Sequence, residues 1–343
     1  MSYTPRSFIS LAIAMVLLLA GTSRASAQGG KVIRVTAGSE ITHNLISEKS
    51  LLSQVEFLAD SVCNGRGTGT KGGTEAAFWI MRQFNSLGIL PFGDSYSHSF
   101  DAGEGLMGRN IAGMLPASGK NAGKQYIVVT AHFDGFGELD GNMYPGADSN
   151  ASGVVAMLGA AKMMSAMMSY GKVYRQNVIF VALDGKNVNM KGVKEFWDVL
   201  VGGGLVDPVH GNVIRRQDIS LMVNIDQIGS TLSPLSSGKK DYIILLSDKN
   251  ADFHRGSLQY SNNRFSLGLD LGYDYYGSTP FTEMFYRRVS EQKVFLDNHV
   301  PAVMFTSGIT MNNNKVWDTA STLDYEVLKR RIWMIFHWLE RVI

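Results

Sequence analysis

Short runs rich in β-branched and aliphatic residues alternate along this chain with longer stretches at helical spacing, and no other feature limits the fold so tightly. Tyr126 to Thr130, Val178 to Leu183 and Leu221 to Ile225 read as strands buried on both faces. Helical patterns follow them: Ala151 to Ser169, Lys191 to Val201, and a terminal one from Asp324 to Ile343. Tyr242 to Leu246 and Ala302 to Thr306 read as further strands. Strands that alternate with helices predict a largely parallel sheet with helices on both faces. Ligands in such folds gather beyond the carboxyl ends of the strands. His132, Asp184 and Asp226 all fall at or just past a predicted strand end.

The first 27 residues read as a secretory signal peptide. Arg6 supplies the charged start, Leu11 to Ala20 the apolar centre, and Ala25-Ser26-Ala27 a small-residue cleavage site. The apolar run is short for a membrane span. The expected product is exported, periplasmic or extracellular, with residues 28–343 as a single domain. Losing Arg6 and Arg24 with the leader leaves 30 basic against 30 acidic residues. A chain so balanced lacks the concentrated basic surface that nucleic acid requires, and no membrane contact is expected once the leader is gone. Cys63 is the single cysteine, which excludes an internal disulfide and a thiolate zinc cluster. It reads as a small buried residue at the end of a helix.

Residues 28 to 45 read as an irregular lead, followed by helical spacing over Leu51 to Val62 and Thr74 to Leu87, with Gly88 as the stop. Between those helices, Gly67, Gly69 and Gly72 match the spacing of a dinucleotide fingerprint. That fingerprint needs a strand before it, and a helix precedes it here, so nucleotide binding is not expected. Met157, Met163, Met164, Met167 and Met168 lie at the spacing of core and edge positions on one helix rather than in a soft-metal cluster. Asn150-Ala151-Ser152 is a formal glycosylation sequon, discounted because it lies inside a site phrase.

Three phrases carry the chemistry: Ala131-His132-Phe133-Asp134, then Gly146-Ala147-Asp148-Ser149-Asn150-Ala151-Ser152-Gly153, then Asn224-Ile225-Asp226-Gln227-Ile228-Gly229. In this order they resemble the zinc exopeptidases of clan MH, which include bacterial leucyl aminopeptidase, aminopeptidase Y, glutamate carboxypeptidase and glutaminyl cyclase. The Gly65 to Gly73 phrase resembles the helix–helix connection of the same family. The resemblance implies an α/β/α sandwich around a mixed sheet, and two zinc ions bridged by one carboxylate. It assigns His132 and Asp226 to one ion, Asp148 to the bridge, and Asp134 to the carboxylate that orients His132. The family's paired glutamates, one the general base and one a ligand, align with Lys186 and Asn187. Its C-terminal histidine ligand aligns with Asn314, and a further pocket phrase reads Ser290-Glu291-Gln292-Lys293-Val294-Phe295.

One ion thus keeps its set while the other loses both terminal ligands and the base. An ammonium about 4 Å from a divalent ion is repelled by roughly 8 kcal/mol at an effective dielectric of about 20. Lys186 therefore suits a position without an ion, where it would neutralise Asp148 or Asp184; alternatively it points to solvent from a loop. A desolvated neutral Lys186 acting as base is a further alternative. His299 and Asp318 are candidate replacement ligands, though His299 precedes a turn and reads as structural. Three functions remain open. The first is a catalytically silent relative binding one zinc or none, with a peptide or a protein N-terminus as its ligand. The second is a mononuclear zinc aminopeptidase or amide-processing enzyme using His132, Asp148 and Asp226. The third is a metal-free structural or interaction protein.

Overall fold

Side-chain oxygens cap the N-termini of several helices of this chain, while apolar runs form its strands. The computed structural model describes residues 40–119, 124–232, 235, 237–248, 251–275 and 277–343. The expected signal peptide and most of the lead lie outside the described residues. The chain divides after His43 into two units. Of the first, residues 40–43 are described; they are helical, where an irregular lead was expected.

The second unit, residues 44–343, contains eight helices of six or more residues among the described residues. Two precede the sheet: α1 (Glu48–Ala59), capped by the Ser47 hydroxyl accepting from Ser50 N, and α2 (Lys71–Ser86), capped by Thr70 accepting from Gly73 N. Such caps satisfy N–H groups that have no intrahelical partner. The glycine phrase joins these two helices, and a Cβ on Gly72 would sit 2.1 Å from the Cys63 carbonyl oxygen. Those glycines serve close backbone packing. Cys63 is fully buried just after α1.

The strands then follow: β1 (Leu90–Pro91), β2 (Ser97–Gly103), β3 (Leu106–Leu115), β4 (Tyr126–His132) and the small hairpin β5 (Gly137–Leu139) with β6 (Asn142–Tyr144). Next come α3 (Ser152–Ser169), β7 (Asn177–Leu183), α4 (Lys191–Val201), β8 (Ile219–Ile225), β9 (Tyr242–Ser247) and α5 (Ala251–Arg264). The chain closes with β10 (Asp270–Gly272), α6 (Thr279–Arg288), α7 (Gln292–Asp297), β11 (Ala302–Thr306) and α8 (Tyr325–Val342). The main sheet runs β1-β3-β7-β4-β8-β11-β9-β10, with β2 paired to β3. β7, β4, β8 and β11 are mutually parallel, while β3 and β9 run antiparallel to their central neighbours.

Period-two alternation sends the strand side chains to opposite faces. Ile127 and Val129, with Phe180, Val223 and Phe305, pack under α1, α2, α3 and α8. Val128, Ile179, Val181 and Met222 pack under α4 and α7. The result is the three-layer α/β/α sandwich around a mixed, largely parallel sheet. α3 carries apolar residues on nearly all sides because the first layer buries it, and Met157, Met163 and Met164 are core side chains there. At the carboxyl end of β7 the chain turns so tightly that a Cβ on Gly192 would lie 1.9 Å from the Asp184 carbonyl oxygen. That contact brings the start of α4 against the strand end and fixes where residues 185–191 cross the site.

Candidate functional site

Three parallel strand ends, with the turn at Ala147–Ala151 that opens α3, carry the site residues. His132 ends β4, Asp184 follows β7 and Asp226 follows β8. Asn150 ties the ends of β4 and β8 together: its Nδ2 donates to the carbonyls of Ile225 at 3.0 Å and His132 at 3.3 Å. Its Oδ1 accepts from Gly153 N at 3.1 Å and Gln227 N at 2.9 Å. Asn150 is fully buried, so the sequon offers no accessible acceptor. Arg66, also fully buried, braces the opposite flank by donating to the carbonyls of Phe133 at 2.7 Å, Pro145 at 2.8 Å and Gly146 at 2.7 Å.

Asp134 lies against the histidine mainly through its backbone: His132 Nδ1 is 3.0 Å from the Asp134 carbonyl oxygen and 3.5 Å from its Oδ1. Asp134 is itself held by Lys186 N at 3.1 Å, Asn187 N at 3.0 Å and Asn187 Nδ2 at 3.2 Å. Asn187 thus spends its side chain on that carboxylate. Burial and the Lys186 ammonium oppose protonation of His132, but the neighbouring Asp134 and Asp226 carboxylates outweigh them and push it up to about 9.

The Lys186 ammonium is paired with Asp226 Oδ2 and lies 3.3 Å from Glu291 Oε2. It neutralises neither Asp148 nor Asp184, and it does not point freely into solvent. Other donors hold both oxygens of Asp184 and one oxygen of Asp148. Asp184 is filled by Thr68 Oγ1 and Gly185 N, each at 2.7 Å, and by Arg109 N at 2.9 Å. Asp148 Oδ1 accepts from Gly229 N at 2.8 Å and Ser152 Oγ at 3.0 Å. Asp226 Oδ2 has no such backbone donor. Burial works against both partners of the pair, yet the Lys186 ammonium is held above its ordinary range by Asp226 and Glu291, and the Asp226 carboxyl well below its own by Lys186 and His132. A neutral Lys186 acting as base is therefore not the state this geometry supports.

Do these residues fit a zinc ion? His132 Nε2, Asp148 Oδ2 and Asp226 Oδ1 are buried atoms without a hydrogen-bond partner, as ligand atoms would be. His132 Nε2 lies 3.4 Å from Asp226 Oδ1. Among the described residues, however, no three His, Cys, Asp or Glu side chains gather as an ion requires. The ammonium already stands on Asp226, where a dication would face strong repulsion. As arranged, the set does not fit the ion. Asp318 is not a replacement ligand: its two oxygens accept from Asp148 N at 2.9 Å and Ser149 N at 3.1 Å. His299 lies exposed, with a positive φ of 62°, in the turn before β11.

A cleft of about 170 Å³ opens over this pair, lined by Lys186, Asn187, Asp226, Gln227, Asn313 and Asn314 on its polar side and by Phe285, Met304 and Ile309 among its apolar residues. Sequence reasoning assigned no role to Glu291, Gln227 or Asn313. The only signal for Glu291 was its place in the pocket phrase.

Helices on both faces of a mixed sheet, with a histidine and aspartates at the ends of its parallel strands, define the zinc-exopeptidase fold. Residues 110–339 match the family described as Peptidase family M28, and the chain belongs to it. A zinc aminopeptidase from Bacillus subtilis superposes with a TM-score of 0.62 at 13% identity over 86% of this chain and 95% of that one. A glutaminyl cyclase from Macrostomum lignano gives a TM-score of 0.64 at 14% identity over 89% of this chain and 92% of that one. At such identities the likeness is one of fold. The BOS complex subunit ncln of Danio rerio is 30% identical over 121 residues, 35% of this chain and 21% of that protein. The chain thus covers about a fifth of that relative's length.

Proposed function

We propose that this protein is an exported member of peptidase family M28 that does not hydrolyse peptides by the two-metal route and instead binds a peptide ligand in the cleft over Lys186. The observation that carries this reading is the Lys186 ammonium between Asp226 and Glu291. The general base of the family is replaced there by a cation, and a ligand carboxylate has become that cation's counter-ion. With Asn187 and Asn314 at two further ligand positions, the site lacks the means to hold a second ion. Losing a general base alone costs about a hundred- to ten-thousand-fold in rate. Export rests on the leader pattern of residues 1–27.

A mononuclear zinc enzyme is the second reading, favoured by the unpartnered Nε2 of His132 and one unpartnered oxygen each on Asp148 and Asp226. The experiment that separates them is metal stoichiometry with turnover. Protein purified without chelator, saturated with zinc and desalted, is assayed by mass spectrometry and on aminoacyl chromogenic substrates. Substoichiometric zinc and no turnover are expected. One retained zinc with turnover would establish the second reading, and two would restore an ordinary aminopeptidase.

A further inference from the structure

We infer that the cleft selects a neutral amide, a peptide residue whose nitrogen is acylated or already in a peptide bond, and discriminates against a free α-amino group. This deepens the preceding proposal and rests on its reading of Lys186 as the resident cation.

Recognition of an α-ammonium requires an uncompensated carboxylate within reach. Among the described residues lining the cleft, Asp226 is the one carboxylate, and Lys186 already covers its Oδ2. The Lys186 side chain is 19% exposed, against 5% for Asp226 and 1% for Glu291, so of the three charged groups the cation is the most open to the cleft. An entering ammonium meets a like charge first. An entering carboxylate meets an ammonium whose charge two buried acids already balance.

Two carboxamides also line the cleft. Gln227 Nε2 donates to Asn313 Oδ1 at 3.0 Å. That bond leaves the side-chain oxygen Oε1 of Gln227 and the Nδ2 group of Asn313 without a hydrogen-bond partner among the described residues: one acceptor and one donor in the cleft lining. A secondary amide presents the complementary donor and acceptor. Exchanging the O and N assignments of both side chains leaves the same pair. Lys186 has three N–H groups and two acceptors, Asp226 Oδ2 and Glu291 Oε2, so its third can serve the amide carbonyl. The volume of about 170 Å³ suits a single residue, and Phe285, Met304 and Ile309 supply an apolar wall for an aliphatic side chain.

The test is calorimetric titration of the purified protein, at neutral pH, with N-acetyl-leucinamide, leucinamide and N-acetyl-leucine, each followed by mass spectrometry of the mixture. N-acetyl-leucinamide is expected to bind at one per chain and about tenfold or more tighter than leucinamide. Asn313→Asp, which adds a carboxylate to the wall, is expected to narrow or reverse that ratio. Leucinamide binding equally well, N-acetyl-leucine binding tightest, no saturable binding of N-acetyl-leucinamide, or a ratio unmoved in a folded N313D would each overturn the inference. The wild-type ranking decides by itself if N313D does not fold. Release of free leucine from leucinamide would overturn the non-hydrolytic reading instead, independently of the ranking.

Discussion

Replacing Lys186 with methionine keeps most of the side-chain volume and removes the charge, which leaves Asp226 and Glu291 buried without a counter-ion. At 3.3 Å and an effective dielectric of about 20, the Glu291 contact alone is worth roughly 5 kcal/mol before desolvation is subtracted. The Asp226 contact is closer still. Stripping one partner from a buried pair costs about 3–5 kcal/mol net, and the 19% exposure of Lys186 argues for the lower end, about 3 kcal/mol. Urea unfolding reads this directly: with a slope of about 2–3 kcal/mol per molar, the midpoint should fall by roughly 1 M or more. The pH dependence has a definite sign. Asp226 titrates below its ordinary value of 3.8, so its contribution is present above that pH and is lost as pH falls through the folded value. Lys186 titrates above its ordinary 10.5, so its share is complete below that pH and is lost only at higher alkalinity. The deficit of K186M should therefore be full between about pH 4 and 10 and narrow on acidification. A deficit below about 1 kcal/mol at neutral pH, or one that grows toward pH 3, would show that Lys186 is not the cation these acids depend on.

Lys186→Glu should make the fold responsive to zinc: at about 100 times the dissociation constant the gain is about 2.7 kcal/mol, read as a rise in melting temperature absent from wild type and from K186E/D226N. No rise in K186E would mean that something other than Lys186 keeps the ion out. Asn150→Ala removes the partner of two buried N–H groups and two carbonyls and should cost on the order of 4 kcal/mol in chemical unfolding; under 1 kcal/mol would contradict its role as the tie between strand ends. Burial and the neighbouring Asp318 carboxylate push the Asp148 carboxyl up to about 7. A raised acid binds its proton more tightly in the fold, so this contribution is lost as pH rises from about 4 to 7, and Asp148→Asn should gain on wild type over that range. Burial pushes the Cys63 thiol up to about 11, so iodoacetamide should label it only after unfolding.

The central strands were legible because burial on both faces leaves continuous apolar runs; Ala302–Thr306 and Lys191–Val201 fall where the sequence pattern places them. The hairpin of β2 and β3 was not read. Ser97 to Gly103 is largely polar, and β3 carries Gly108, Arg109, Asn110 and Gly113; their strand character comes from pairing with each other and with β7. α5 was missed because its buried residues are chiefly His254, Ser257, Leu258 and Ser261, with no apolar stripe. At the site, the family phrases located His132, Asp148, Asp226 and Lys186. They did not locate the partner of Lys186. Which carboxylate meets the ammonium depends on where residues 185–191 cross the strand ends, and the donors on Asp148 and Asp184, such as Gly229 N and Arg109 N, are equally long-range, so only the folded chain determines them.

A metal ion in a protein is an equilibrium guest, present in proportion to its supply and removable by any stronger chelator. The cation on Asp226 is bonded to the backbone through its own side chain. Its occupancy is one at every concentration of every ion, it is made whenever the chain is made, and it cannot be exchanged for a competing metal. A site built this way gives up Lewis acidity and gains constancy: its charge balance is the same in a metal-starved medium as in a metal-rich one.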